Sequence, residues 1–459
     1  MPIATPAARA RFLHFAALVG GCLMLSVATG IFAASGGGEA PVSTTSLAFP
    51  GAQGWAARTP GGRGGKLLRV TTLAADGPGS LLEALATPGP RTIVFEVGGV
   101  IDLGRKTVKI TEPYLTIAGQ TAPQPGITLV RGGVDIATHD VVVRHLRVRP
   151  GSTGLARMAG LDFDAISTVV AHDVIVDHCS LTWATDENLS ASGTRFAAGA
   201  DNAEALADAT SRRITFSNNL IAEGLANSTH IKGEHSKGSL IHDHVRDILI
   251  VGNLYAHNYE RNPLFKGGVH GQVINNLIYD PGQRAVHYNL IAEEWIGHDY
   301  EPGRMVLRGN VMRAGPSTEE LAFFMIGGSG DVDLFADDNI AIDRIGKPVP
   351  AQGRYTTAPV KVNALREAPA LPFGVVLLPS AQVQDAVVAN AGARPWDRDD
   401  VDRRILADVI EGRGRIIDSE DEVGGYPKQE QTRQAFVPAD WDLDTMEPLK
   451  PLQRREPLR

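Results

Sequence analysis

Five asparagines follow five short β-branched runs at the same offset: Asn219-Leu-Ile, Asn253-Leu-Tyr, Asn276-Leu-Ile, Asn310-Val-Met and Asn339-Ile-Ala. They are separated by 34, 23, 34 and 29 residues, and His145-Leu-Arg and His178-Cys-Ser occupy the equivalent place upstream. One supersecondary unit per repeat, joined by loops of unequal length, marks a solenoid. From about Lys66 to Ile342 the runs themselves read as strands, among them Asp140-Val-Val-Val-Arg, Asp173-Val-Ile-Val-Asp and Asp247-Ile-Leu-Ile-Val. Few stretches between them carry ten residues of helical period, which argues against alternating strands and helices. Tight Asn-Gly and Asp-Gly hairpin turns are largely missing, which argues against a sandwich. Asparagine tolerates the left-handed backbone region, so the repeated residue is expected at each corner. The reading is all-β, a right-handed parallel β-helix.

An open coil end exposes strand edges and apolar surface. Ser80-Leu-Leu-Glu83 has capping-box spacing, and Leu81, Leu82 and Leu85 give one apolar face, so an N-terminal capping helix is expected there. After about Gly346 the sequence turns Pro-rich and charged. Arg398 to Gly412 reads as one amphipathic helix inside an otherwise irregular C-terminal arm. The expected organisation is a signal segment at 1–34, a flexible linker at 35–46, the β-helix at 47–345 and the arm at 346–459. The arm's end, from Met446, is expected to be disordered.

Residues 1–34 hold Arg9 and Arg11, an apolar run from Phe15 and a small-residue exit, the pattern of a cleaved secretory signal. Gly20, Gly21 and Gly30 interrupt that run, which weighs against a retained membrane anchor. Cleavage removes two positive charges and no negative ones, taking the net charge from −8 to −10. An exported acidic protein does not suit general nucleic-acid binding. Of the two cysteines, only Cys179 remains after cleavage, which excludes a disulfide framework and predicts a buried small side chain.

Three clusters carry chemistry. Asp162 and Asp164 stand at i and i+2, which on a strand places both on one face. Thr185-Asp186-Glu187-Asn188 follows one repeat later, about 5 Å away if the coils stack. Carboxylates without His or Cys suit a hard cation, Ca²⁺ before Mg²⁺. Acids that only cap strand ends and face water would give the same pattern. The third cluster is basic: Lys232 and Lys237 around His235, then Arg261 and Lys266. Lys232 and Arg261 lie 29 residues apart, about one repeat, and a basic strip beside an acidic site suits a polyanion.

Several ordered motifs resemble polysaccharide lyase family 1, the pectate lyases. They are Val174-Ile-Val-Asp-His-Cys-Ser-Leu-Thr-Trp-Ala-Thr-Asp-Glu187, His257-Asn-Tyr-Glu-Arg261-Asn-Pro263, Phe49-Pro-Gly-Ala-Gln-Gly54 and Ile117-Ala-Gly-Gln-Thr-Ala-Pro123. Ile416-Ile-Asp-Ser-Glu-Asp-Glu-Val-Gly-Gly-Tyr-Pro427 is similar to a tail common in bacterial members. The likeness spans roughly residues 47–428. It implies a secreted bacterial enzyme, monomeric, that cleaves polygalacturonate by Ca²⁺-assisted β-elimination, with no nucleic-acid or membrane partner. By motif, Arg261 falls on the catalytic arginine, Lys232 and Lys266 on substrate-binding cations, and Asp162, Asp164 and Asp186 on calcium ligands. Glu187 is their companion, although the family's Glu-x-x-x-Asp spacing is not reproduced. Lys266 replaces an arginine fork by a point charge, and Leu264 stands where many bacterial members have arginine.

Two other readings remain open at this point. A β-helix glycoside hydrolase would use two of the aspartates as acid and base. A non-catalytic β-helix would only bind surface carbohydrate, since fold alone does not settle function.

Overall fold

Each coil of the chain lays one short strand on each of three sheets. His172–Asp177, Ser180–Thr182 and Leu189–Ser192 make one such circuit, and Arg212–Ser217 begins the next. The computed structural model describes residues 46–200, 202–235 and 237–452. Among these, the sheets hold eleven, ten and nine strands, and neighbouring coils pair in parallel throughout. This is the parallel β-helix expected from the repeat. The signal segment and most of the linker lie outside the described residues. No helix among the described residues is long and apolar enough to cross a membrane.

The interior is built from in-register aliphatic stacks. Val141, Val174, Ile214 and Ile248 lie in one column of the eleven-stranded sheet, followed by Gly271, Met305 and Leu334. Their side chains are buried, and full burial of such a residue contributes at most about 1.5–3 kcal/mol. Gly271 interrupts the column because a side chain there would meet Ile248 and Phe265 at 2.6 Å.

The repeated asparagines form a continuous internal ladder. The Nδ2 atom of Asn219 donates to Asn253 Oδ1 at 3.0 Å, Asn253 to Asn276 at 2.9 Å, Asn276 to Asn310 at 3.1 Å and Asn310 to Asn339 at 2.9 Å. The backbone N–H of Asn219 donates to Asn253 Oδ1 as well, and the pattern repeats along the stack. These residues are not the left-handed corner positions. That conformation belongs to the residue before each, namely Asn218, Gly252, Asn275, Gly309 and Asp338, and likewise to His178 before Cys179. The upstream match is accordingly Cys179, whose N–H donates to Asn219 Oδ1 at 2.8 Å, and His178 aligns with Asn218. Cys179 is fully buried, and burial pushes its thiol up to about 12.

Leu81–Leu85 is the capping helix, with Ser80 Oγ accepting from Glu83 N. Glu83 returns its carboxylate one residue further back than a capping box requires, to Gly79 N. The coil continues past residue 345, because Gln352–Arg354 and Val362–Ala364 each add a parallel strand. The arm then carries the anticipated helix, Asp400–Glu411, ended by left-handed Gly412, and a second helix, Ser380–Asn390, that the sequence pattern did not reveal. Both pack on the ten-stranded sheet through Val383, Val387, Ile405 and Val409 against Leu254, Leu277 and Tyr279. Arg149 forms a fork on Asp399 and a further bond to Asp402, all buried. Further on, Thr432–Arg433 pairs antiparallel with Val97–Gly98 of the first coils. Met446, where the stretch expected to lack order begins, is buried beside Val94 and Ala118.

Candidate active site

The chemistry-bearing residues line up at one edge of the nine-stranded sheet, each just ahead of a strand. Asp186 stands three residues before Leu189–Ser192, Lys237 three before Leu240–Ile241, and Arg261 three before Leu264–Lys266. Asp164 and Arg284 stand two residues before their strands, Ile166–Val169 and Val286–Leu290. Backbone hydrogen bonds join these segments coil to coil. Asp186 N donates to Phe163 O at 3.1 Å, Lys237 N to Asp186 O at 2.7 Å, and Ser239 N to Arg261 O at 2.6 Å. The sequence thus sets the column by giving each coil a polar residue two or three places ahead of its strand, with Glu187 and Lys237 bridged in parallel.

Ligand atoms of Asp164, Asp186 and Glu187 lie within 4.8 Å of one another. Asp164 accepts from Glu187 N at 2.9 Å and from Ser190 Oγ at 2.5 Å. Burial, and then the Asp186 charge, push its carboxyl well above the usual range. Burial works the same way on Asp186, but His235, Arg261 and His230 outweigh it and hold that group below its ordinary value. Asp162 stands apart from the three. It is exposed, in an irregular segment that precedes the strand and does not belong to it.

His235 Nε2 lies 2.9 Å from Asp186 Oδ1 and His230 Nε2 lies 3.9 Å from Oδ2, the two rings stacked with centroids 3.9 Å apart. His230 Nδ1 accepts the N–H of Lys232 at 3.0 Å, so its Nε2 carries the proton and faces the carboxylate. That tautomer turns a protonated nitrogen toward Asp186 and leaves His230 no lone pair for a metal there. The all-oxygen donor set of the three acids fits a hard cation, and the crowding felt by Asp164 is what such a cation relieves.

The cations divide. Arg261 pairs with Glu187, both side chains largely buried. Burial lowers its proton affinity, against the opposing charges of Asp186 and Asp164. Lys266 sits at the far end of its strand, with Nζ 2.5 Å from Glu294, a carboxylate shared with Arg195. Lys232 is exposed on the turn after His230. Lys237, part of the basic cluster in the sequence but given no role there, is in the column itself: Nζ lies 3.3 Å from Glu260 and 4.6 Å from the centre of the Tyr259 ring. Burial lowers its pKa, with Glu260 opposing. The offset of three residues before a strand, shared with Asp186 and Arg261, is the signal that could have found it. Arg284 pairs with Glu260 one coil further on.

A site of this kind can hold a hard cation beside buried guanidinium and ammonium groups, an arrangement that receives an anionic substrate and faces a basic group to it. No family model matches the chain. Among curated proteins it is similar to a probable pectate lyase C of Emericella nidulans, 31% identical over 395 residues, covering 83% of this chain and 81% of the relative. A probable pectate lyase C of Aspergillus flavus is 31% identical over 403 residues, 87% of this chain and 85% of the relative. One of Aspergillus terreus is 35% identical over 278 residues, 60% of this chain but 57% of that relative's length. These relatives are fungal, so the expected bacterial origin has no support from them. Two solved structures share the fold at a TM-score of 0.50: a Bacillus subtilis pectate lyase, 14% identical over 74% of this chain and 96% of the other, and a pectate lyase bound to hexasaccharide, 15% identical over 75% and 97%.

Proposed function

The chain belongs to the pectate lyases, and from that premise we propose that it cleaves polygalacturonate by calcium-assisted β-elimination. The observation that carries the reading is the buried Arg261 guanidinium set against the cluster of Asp164, Asp186 and Glu187. Elimination removes the C5 proton of a uronate and expels the oxygen at C4 of the same ring. The proton is hard to remove because the adjacent carboxylate is already negative. Calcium held by Asp164 and Asp186 would screen that carboxylate and offset the acids that keep Arg261 protonated.

Arg261 is the proposed base. Arginine is a poor base at its ordinary pKa, and burial shifts it in the useful direction. Lys237 is proposed to offset charge on the reacting uronate from inside the column, and Lys232 to meet the polymer at the exposed rim. Lys266 would bind a neighbouring uronate by exchanging Glu294 for it, and Asp162 would join the metal from the rim. Water protonates the departing oxygen. The proposed setting is outside the cell, with residues 1–34 removed and the protein acting as a monomer.

One observation favours a hydrolase: Asp164 and Asp186 have proton affinities pushed apart, as an acid and a base require. The test is incubation with polygalacturonate, with and without chelator. Calcium-dependent growth of ultraviolet absorbance supports elimination. New reducing ends without absorbance mean hydrolysis, and binding without cleavage means a carbohydrate-binding module.

A further inference from the structure

Glu187 lies between two possible partners. Its carboxylate belongs to the acidic cluster, and it also pairs with Arg261. The supports of the neighbouring groups are unequal. Asp164 is held by Glu187 N and Ser190 Oγ, and Asp186 is flanked by His235 and His230. The Arg261 side chain makes its one described hydrogen bond to Glu187, and its Nε is buried without a partner. The backbone at Arg261 is fixed in the left-handed region, with its carbonyl held by Ser239 N, so only the side chain needs aiming. The Glu187 side chain is 4% exposed, too enclosed to turn away without leaving a buried guanidinium unpaired.

We propose that Glu187 is the positioning residue of Arg261 and is not required to hold the metal. The assignment rests on the lyase reading for its catalytic half and on geometry alone for its metal half. Glu187 fixes the guanidinium at the column's mouth. Without the acid, Arg261 moves toward Asp186 and Asp164, away from the position where it meets the substrate's C5 proton.

The test uses the mature protein with Glu187→Gln and Glu187→Ala, both checked for folding by thermal melting. Titration calorimetry with calcium chloride, without substrate, is expected to give affinities within about fivefold of wild type. Turnover of polygalacturonate is expected to fall about 100-fold in Glu187→Ala, with KM changed less than about threefold. The glutamine variant should lose less, because its amide oxygen still accepts from Arg261, and it carries the test if the alanine variant does not fold. Calcium affinity weakened beyond fivefold in Glu187→Gln, or kcat within threefold of wild type, overturns the proposal. If wild type itself yields no unsaturated product, the lyase reading fails separately, and the calorimetry still decides whether Glu187 holds the metal.

Discussion

Asp164 and Asp186 stand on adjacent coils, with Asp186 N bonded to the carbonyl next to Asp164, and their proton affinities move in opposite directions. Asp164 has only neutral donors and a neighbouring negative charge. Asp186 has two imidazoles and Arg261 around it. A cation bound between them would meet one carboxylate whose surroundings favour the ionised form and one whose surroundings favour its proton.

Calcium affinity should therefore fall as the pH drops from neutral, because protons compete for Asp164. The raised value makes Asp164 stabilise the metal-free fold at low pH, and that contribution is lost as pH rises through its folded-state pKa. Asp164→Asn should raise the melting temperature of the metal-free protein at neutral pH, and calcium should then protect it less than wild type. Melting curves with and without calcium at several pH values check both signs.

Asp186→Asn should weaken calcium binding at least about tenfold, as losing a ligand does more than disturbing an outer partner. Calorimetry reads this directly. An unchanged affinity would remove Asp186 from the metal site.

Arg261→Lys should retain calcium affinity and lose about 10²–10⁴ in kcat, the range for a displaced general base. Normal turnover in that variant would show that another group takes the proton.

Lys237→Ala should lower kcat/KM by about 10- to 100-fold, from loss of charge stabilisation at the reacting uronate. Lys232→Ala, on the exposed turn, should change it by less than about threefold. Steady-state kinetics on polygalacturonate at fixed calcium separate the two lysines.

Asn276→Ala should destabilise the fold by about 3 kcal/mol, since it leaves Asn253 N and Nδ2 and several carbonyls short of a partner in the interior. Asn339→Ala, half-buried at the ladder's end, should lose about 1 kcal/mol. Denaturant unfolding gives both numbers.

The coil was legible because its strands announce themselves by β-branching and its asparagines recur. The same signal misplaced the corners by one residue, since a buried amide ladder and a left-handed turn favour the same amino acid. Arg261 and the acids Asp164, Asp186 and Glu187 were found from motif and spacing, and the structure brings them together. Lys232 and Lys237 share one loop, and with coils of such unequal length the repeat spacing alone does not say which lysine reaches the column; only the offset before the next strand does. Glu294 comes from a loop between coils, so nothing near Lys266 in sequence disclosed that the ammonium already has a carboxylate. Ser380–Asn390 lacked a clear helical stripe, because its apolar contacts with the sheet are few and small.

A stack of coils interacts only with its nearest neighbours and would ordinarily unravel from either end. Here the chain leaves its last rung at Val362–Ala364, runs back across the flank and adds Thr432–Arg433 to the opening turns. That return path fastens beginning to end like a hoop around a barrel. Loss of the clasp should convert a single concerted collapse into piecemeal fraying.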